Sequence, residues 1–235
     1  MSSADPAVEK KMRFLITAGA TKEYIDPVRF ISNASTGRMG LALTLAALKA
    51  GHKVTLITTV HRASLRLRSG QASIVHRASV INVETASQMF EAVRKYFPRC
   101  DCLIMAAAVS DYMPAHPAKT KIKKTDKPLT IKLKPTIDIL KWAGRHKKKN
   151  QILVGFALED RNLRANAERK MQEKNLDMII ANTPAAIGAD KTNVQIKTTQ
   201  KRWLKLPYTA KTTLAKKIIA LAEKITKERQ ENEDS

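Results

Sequence analysis

Between Asp26 and Gly40 the chain reads Asp-Pro-Val-Arg-Phe-Ile-Ser-Asn-Ala-Ser-Thr-Gly-Arg-Met-Gly, and these residue types suit the capture of an anion. Gly37 and Gly40 let a phosphate or carboxylate approach free backbone N–H groups at a helix entrance, with the helix dipole behind them. Asn33, Ser35 and Thr36 add side-chain donors. Arg29 can grip a phosphate or carboxylate with two parallel N–H groups, or form a plain surface ion pair. Gly40 would serve equally well by relieving packing of the helix on the sheet. The spacing is neither G-x-G-x-x-G nor that of a P-loop, so the two common phosphate fingerprints do not apply.

Three further pieces carry chemistry. In Met105-Ala106-Ala107-Ala108-Val109-Ser110-Asp111-Tyr112, small residues at a strand end allow a ligand to lie against the backbone. Asp111 there would bond a hydroxyl or amide, or else satisfy its own turn. In Lys119-Thr120-Lys121-Ile122-Lys123-Lys124, several ammonium groups on a loop suit a polyphosphate, although lysine runs are often only solvated. In Val154-Gly155-Phe156-Ala157, Phe156 could stack on a base or fill a core. Lys170 and Lys174 follow one helical turn apart and share a face, either as phosphate ligands or as an exposed stripe.

Other chemistries fail on spacing. The five histidines are scattered and none stands at a metal-ligand spacing, so no metal ligands are assigned. There is no G-x-S-x-G elbow. Cys100 and Cys102 read as the start of a strand in a reduced, cytoplasmic protein. No run of about 18 apolar residues exists to span a membrane. The net charge of +22 favours anionic partners, but aromatic residues are only 5% of the chain, too few for a single-strand stacking platform.

The elements that must position these pieces alternate. Buried strands are expected at Phe14–Ala18, 52–59, Val80–Val83, Cys102–Ala108, Ile152–Ala157 and Met178–Ala181, with helices at 39–50, 87–97, 137–146, 162–174 and 210–225. A strand at Leu129–Leu133 and a hairpin of Val194–Thr198 with Arg202–Leu206 are marginal additions. Residues 61–77 and Asp111–Lys127 read as long loops. The fold class is therefore α/β: a Rossmann-like wound, mostly parallel sheet flanked by helices, with a small antiparallel addition. Residues 1–235 form one domain, with flexible tails at 1–10 and 228–235.

In this order the four pieces resemble phosphopantothenoylcysteine synthetase, the phosphopantothenate–cysteine ligase of coenzyme A biosynthesis. The matching strings run from Ile16-Thr17-Ala18-Gly19 through Asp26–Gly40, Ala106–Tyr112, Lys121–Lys124, Ile137–Leu140 and Val154–Ala157 to Lys170–Asn182. No decarboxylase segment precedes them, which suggests a stand-alone form. The resemblance implies that the carboxylate of phosphopantothenate attacks a nucleoside triphosphate, giving an acyl-nucleotide that the amine of cysteine then captures. It implies Mg²⁺ with CTP as co-substrate, ATP being the alternative, no flavin, and a homodimer. By position, Asn33 and Lys121 would be catalytic. Arg29, Asn33, Gly37, Ala107, Ala108 and Asp111 would bind substrate, Arg29 by reaching across the dimer. Met105, Ala106, Ala107, Asp111, Lys121, Asp138, Ile139, Phe156, Lys170 and Lys174 would hold the nucleotide. The chain departs from the family at Ala20, where Pro is usual, and at Thr136-Ile137, where Asn-Pro is usual.

Two rival classes follow from the sequence. A nucleic-acid-binding protein is suggested by the +22 charge and the basic segments 61–77 and 141–149. A nicotinamide oxidoreductase is disfavoured, because there is no G-x-G-x-x-G and no acid ends the second strand.

Overall fold

The computed structural model describes residues 11–60 and 75–232. Its centre is an eight-stranded sheet in the order β12-β11-β10-β9-β6-β1-β4-β5. The strands are β1 (Arg13–Ala18), β4 (Lys53–Thr58), β5 (Ser79–Asn82), β6 (Cys102–Met105), β9 (Ile152–Leu158), β10 (Met178–Asn182), β11 (Lys191–Thr198) and β12 (Lys201–Ala210). The first six run parallel, and β11 and β12 pair antiparallel at one edge. Two small antiparallel pairs stand apart: β2 (Lys22–Tyr24) with β3 (Phe30–Ser32), and β7 (Tyr112–Pro114) with β8 (Leu133–Pro135).

The sheet is covered on both faces, which is why its parallel strands are nearly continuous apolar runs. Phe14 and Ile16 of β1 pack with α1 (Arg38–Lys49) and the C-terminal α5 (Lys211–Glu231). Leu15 points to the opposite face, towards α2 (Ala86–Tyr96), α3 (Ile139–His146) and α4 (Leu163–Glu173). Alternation along β1 thus feeds two cores. Helix α2 is fixed by a capping box between Thr85 and Gln88. Buried Glu23 adds a long-range cap by accepting from Ala86 N at 2.9 Å.

Strand order determines where a ligand can enter. After β1 the chain moves outward to β4 and β5, then returns to β6 and moves the other way to β9 and β10. The reversal lies between β1 and β6, and the crevice at their carboxyl ends is the usual ligand position in such sheets.

Several expectations need correction. The strand expected to reach Ala108 stops at Met105, because Ala106 N turns back to Ile104 O at 3.2 Å. Ala108 rejoins only through a single parallel bridge to Ala20. The strand expected at Leu129–Leu133 is displaced to Leu133–Pro135, where its partner Tyr112–Pro114 lies. The C-terminal helix does not end at Ile225, and over 228–231 the expected flexible tail is helical. Arg229 anchors that last turn by donating to Asp177 and, at 3.0 Å, to Gln151 O. Most of the loop expected at 61–77, the 1–10 tail and residues 233–235 lie outside the described residues.

Both cysteines are free and buried. Burial pushes the Cys100 thiol up to about 12, and Cys102 is raised well above its ordinary value for the same reason.

Candidate functional site

The loop after β1 enters α1 through Gly37, the helix N-cap, at φ 73°. That left-handed backbone favours glycine. A Cβ there would also lie 2.7 Å from Val60 Cγ2 and 3.2 Å from Gly19 N. No side chain caps α1, so its first turn presents backbone donors to an incoming anion. Gly40 has a different task. A Cβ at Gly40 would stand 2.4 Å from Ala18 Cβ, so its smallness lets α1 lie against β1, and the packing alternative is the correct one.

Asn33 crosses the crevice. Its Nδ2 donates to Ala108 O at 3.3 Å and Val109 O at 3.2 Å. Below it, Ala107 N donates to Thr17 Oγ1 at 3.1 Å and Ser110 N to Thr21 Oγ1 at 3.0 Å. Ala108 N also donates to Gly19 O at 2.8 Å. The small residues Ala106–Ala108 are therefore held as bare backbone across the switch point, with exposed Asn33 beside them. Ser110 Oγ is buried there without a partner among the described residues.

One strand further along stands a second group. Asp138 is the N-cap of α3, and its Oδ1 accepts from Lys141 N at 2.9 Å. Its Oδ2 lies 2.8 Å from Lys174 Nζ. Burial pushes the Asp138 carboxyl up, but the Lys174 ammonium and the Lys141 N–H together outweigh it, and the net shift is downward. Lys170 Nζ donates to Phe156 O at 2.8 Å. Burial, reinforced by neighbouring Lys174, lowers the Lys170 pKa, while Glu159, Asp138 and Asp111 oppose that shift. Asp111, exposed on the rim, joins the two groups: its carbonyl accepts from Thr136 N at 2.9 Å, and its charge is felt at Lys170.

Glycine makes this second group possible. A Cβ at Gly144 would lie 2.0 Å from Lys174 O, so α3 and the end of α4 meet only because that position has no side chain. Asn175 then donates to Gly144 O at 3.1 Å and closes the corner.

The structure therefore brings Asn33, Ala107, Ala108 and Asp111 to one crevice, and Asp138, Lys170, Lys174 and the Phe156 carbonyl to its neighbour. The Phe156 side chain packs on the opposite face of the sheet with the core under α1 and α5, so of its two sequence alternatives the core-filling one is correct. Met105 ends β6 and is buried, and Ile139 opens α3 and is buried in the core. Lys121 lies exposed on the flap between β7 and β8. Arg29 is already engaged: its Nε and Nη2 donate to Asp26 Oδ2 at 3.0 and 2.5 Å, and Nη2 also donates to Ile122 O at 2.7 Å. The surface-ion-pair alternative thus holds, although its acid, Asp26, is buried. Only Nη1 is without a partner among the described residues. Asp26 itself escaped the sequence reading. Its signal was present, since Asp-Pro-x-Arg is the pattern of an Asx turn. A cavity of about 960 Å³ opens elsewhere, beside β4 and β5 between Thr58 and Lys95. It contains none of these residues, so the switch-point rim is the better candidate on chemical grounds.

Comparison with known proteins identifies the family and supports the fold. Residues 9–226 match the model of the DNA/pantothenate metabolism flavoprotein C-terminal domain. The coenzyme A biosynthesis bifunctional protein CoaBC of Bacillus subtilis is 45% identical over 178 residues, covering 74% of this chain and 41% of that protein. CoaBC of Borreliella burgdorferi is 38% identical over 215 residues, covering 90% and 52%. The chain thus spans about half the length of the curated relatives it matches. A crystal structure of the C-terminal domain of CoaBC superposes with a TM-score of 0.76 at 32% identity, covering 92% of this chain and 96% of that one. Matched by that family model over residues 9–226, and 38% identical to a curated relative over 90% of its own length, the protein belongs to the DNA/pantothenate metabolism flavoprotein C-terminal domain family.

Proposed function

We propose that this chain is a phosphopantothenate–cysteine ligase acting as a single domain. The observation that carries the reading is the pairing of two sites along one rim: Asn33 with the Ala107–Asp111 backbone at the switch point, and the cationic Lys170–Lys174 pair at the next strand end. A carboxylate is a poor acyl donor until its oxygen becomes a good leaving group. Its attack on the α-phosphorus of CTP or ATP releases pyrophosphate and leaves an acyl-nucleotide. The amine of cysteine then attacks the acyl carbon, the nucleoside monophosphate departs, and an amide forms.

The residues divide this work. Lys170 and Lys174 offset phosphate charge, and Asp138 with the backbone of Ile139 and Phe156 supplies the neighbouring wall for the base. Lys121 on the flap stabilises charge that develops on the transferring phosphoryl group. Asn33, Gly37, Ala107 and Ala108 hold the acid and the acyl-nucleotide. Mg²⁺ enters as the complex with the nucleotide, since it prefers phosphate oxygens and water to an all-protein cage. Asp111 is the exposed rim carboxylate suited to it. No group of three or more acidic, histidine or cysteine ligands occurs among the described residues.

A homodimer fits the surface. Val28, Phe30, Tyr112, Leu133 and Ile137 are exposed large apolar side chains. They lie on or next to the two small antiparallel pairs, and such a concentration suits an interface. Arg29 Nη1 remains for the substrate of a second subunit.

The test is direct. The protein is mixed with Mg²⁺, phosphopantothenate, cysteine and either CTP or ATP, and pyrophosphate is followed. Release that requires both phosphopantothenate and a nucleotide, with an amide product on adding cysteine, is the expected result. No release with any nucleotide would defeat the reading.

A further inference from the structure

The lysine flap is built against its own charge. Lys119, Lys121, Lys123, Lys124 and Lys127 lie within one short stretch, and like charges at that density drive a loop into solvent. Two anchors oppose this. Ala118 N donates to Ile25 O at 2.8 Å before the run. Within it, Ile122 N donates to Asp26 Oδ2 at 3.1 Å, and Ile122 O accepts from Arg29 Nη2 at 2.7 Å. Both backbone groups of Ile122 are therefore taken by the 26–29 turn, and Lys121 stands between the two anchors.

Asp26 is the node of this arrangement. Oδ1 accepts from Val28 N at 2.8 Å and Arg29 N at 2.9 Å, which closes the turn. Oδ2 takes the Arg29 guanidinium and the flap amide. The Asp26 side chain is fully buried. Arg29 and the surrounding N–H groups hold its carboxyl below the usual carboxylate range against the opposing effect of burial. One carboxylate thus ties the loop that carries Asn33 to the flap that carries Lys121, across 96 residues of sequence.

We propose that Asp26 is a positioning residue of the ligase: with Arg29 it clamps the flap at Ile122 and so sets where the Lys121 ammonium stands. The catalytic half of this statement rests on the ligase reading. The clamp itself does not, because it is visible without substrate.

The experiment measures amide exchange at Ile122 in the full chain for wild type, Asp26→Asn, Asp26→Ala and Arg29→Met. Exchange about tenfold faster or more is expected in the variants, the scale of a lost charge-assisted hydrogen bond. Arg29→Met alters an exposed side chain and keeps the test open if the Asp26 variants fold poorly. Turnover is then compared in a double-mutant cycle. Asp26→Asn should lower kcat about tenfold in wild type, with the nucleotide KM little changed, yet cost almost nothing further in a Lys121→Ala background. Unchanged exchange at Ile122 in folded variants would overturn the clamp. Fully additive losses would overturn the positioning role, since damage to the Asn33 loop alone does not act through Lys121. A wild-type chain that releases no pyrophosphate would defeat the ligase reading by itself, and the exchange rate would still decide the clamp.

Discussion

Lys174 reaches the same carboxylate that caps α3: its Nζ lies 2.8 Å from Asp138 Oδ2 while Oδ1 holds Lys141 N at 2.9 Å. Asp138 therefore links the start of one helix to the end of another, and its two roles can be separated. Asp138→Asn keeps a capping oxygen and loses the ion pair, whereas Asp138→Ala loses both. The alanine variant should be less stable by about 1 kcal/mol, the usual cost of a lost cap. The asparagine variant should stay within about 0.5 kcal/mol of wild type, because a half-exposed ion pair contributes little. Thermal melts of both variants check this, and equal losses would contradict the division.

Lys121→Ala should leave the melting temperature unchanged, since the side chain is exposed, and should lower kcat by about two to three orders of magnitude. Pyrophosphate release in steady state measures it. A variant with wild-type turnover removes the flap lysine from the chemistry.

The pH dependence should carry the mark of Lys170. Burial lowers its pKa in the folded protein, so the native state binds fewer protons than the unfolded state between the folded and unfolded values. Stability should then rise with pH through that window, as the cost of the buried ammonium is relieved. Affinity for nucleotide should move the other way, because the phosphate loses its cation. The alkaline limb of kcat/KM for nucleotide should thus begin below the ordinary lysine range. Lys170→Arg, which keeps its charge, should shift that limb upward. An identical profile in the arginine variant would assign the limb to another group.

Asp177 should matter more for stability than any residue of the site. Buried at the start of β10, it accepts from Lys147 Nζ at 3.0 Å, from Leu153 N at 2.7 Å and from Arg229. Asp177→Ala removes the counter-charge of the nearly buried Lys147 ammonium, which keeps only Asn175 O, and takes one of the anchors of Arg229 from the last turn of α5. The expected loss is about 3–5 kcal/mol in urea unfolding. A loss below about 1 kcal/mol would mean that water compensates Lys147.

Much of this was legible in the sequence, for physical reasons. Strands buried on both faces show as apolar runs, and β1, β4, β9 and β10 were found within a residue or two of their ends. Lys170 and Lys174 were placed on one side because helical spacing requires it. Pairing over long distances was not legible. Ala106–Ala108 are apolar enough to continue a strand, and only the turn of Ala106 N back to Ile104 O ends it. The alternation at Leu129–Leu133 was real, but its register is set by Tyr112–Pro114. The Asp26 turn was readable locally, whereas its grip on Ile122 depends on contacts that no local pattern carries.

The two buried thiols acquire a meaning from the proposed chemistry. Disulfide exchange starts from a thiolate that a partner can touch. Cys100 and Cys102 are the chain's whole complement of cysteine, and both are kept protonated and out of reach. On the proposed chemistry, the free cysteine taken up can reach neither of these sulfurs to form a mixed disulfide, and ligase activity measured with fresh cysteine should persist in air without added reductant.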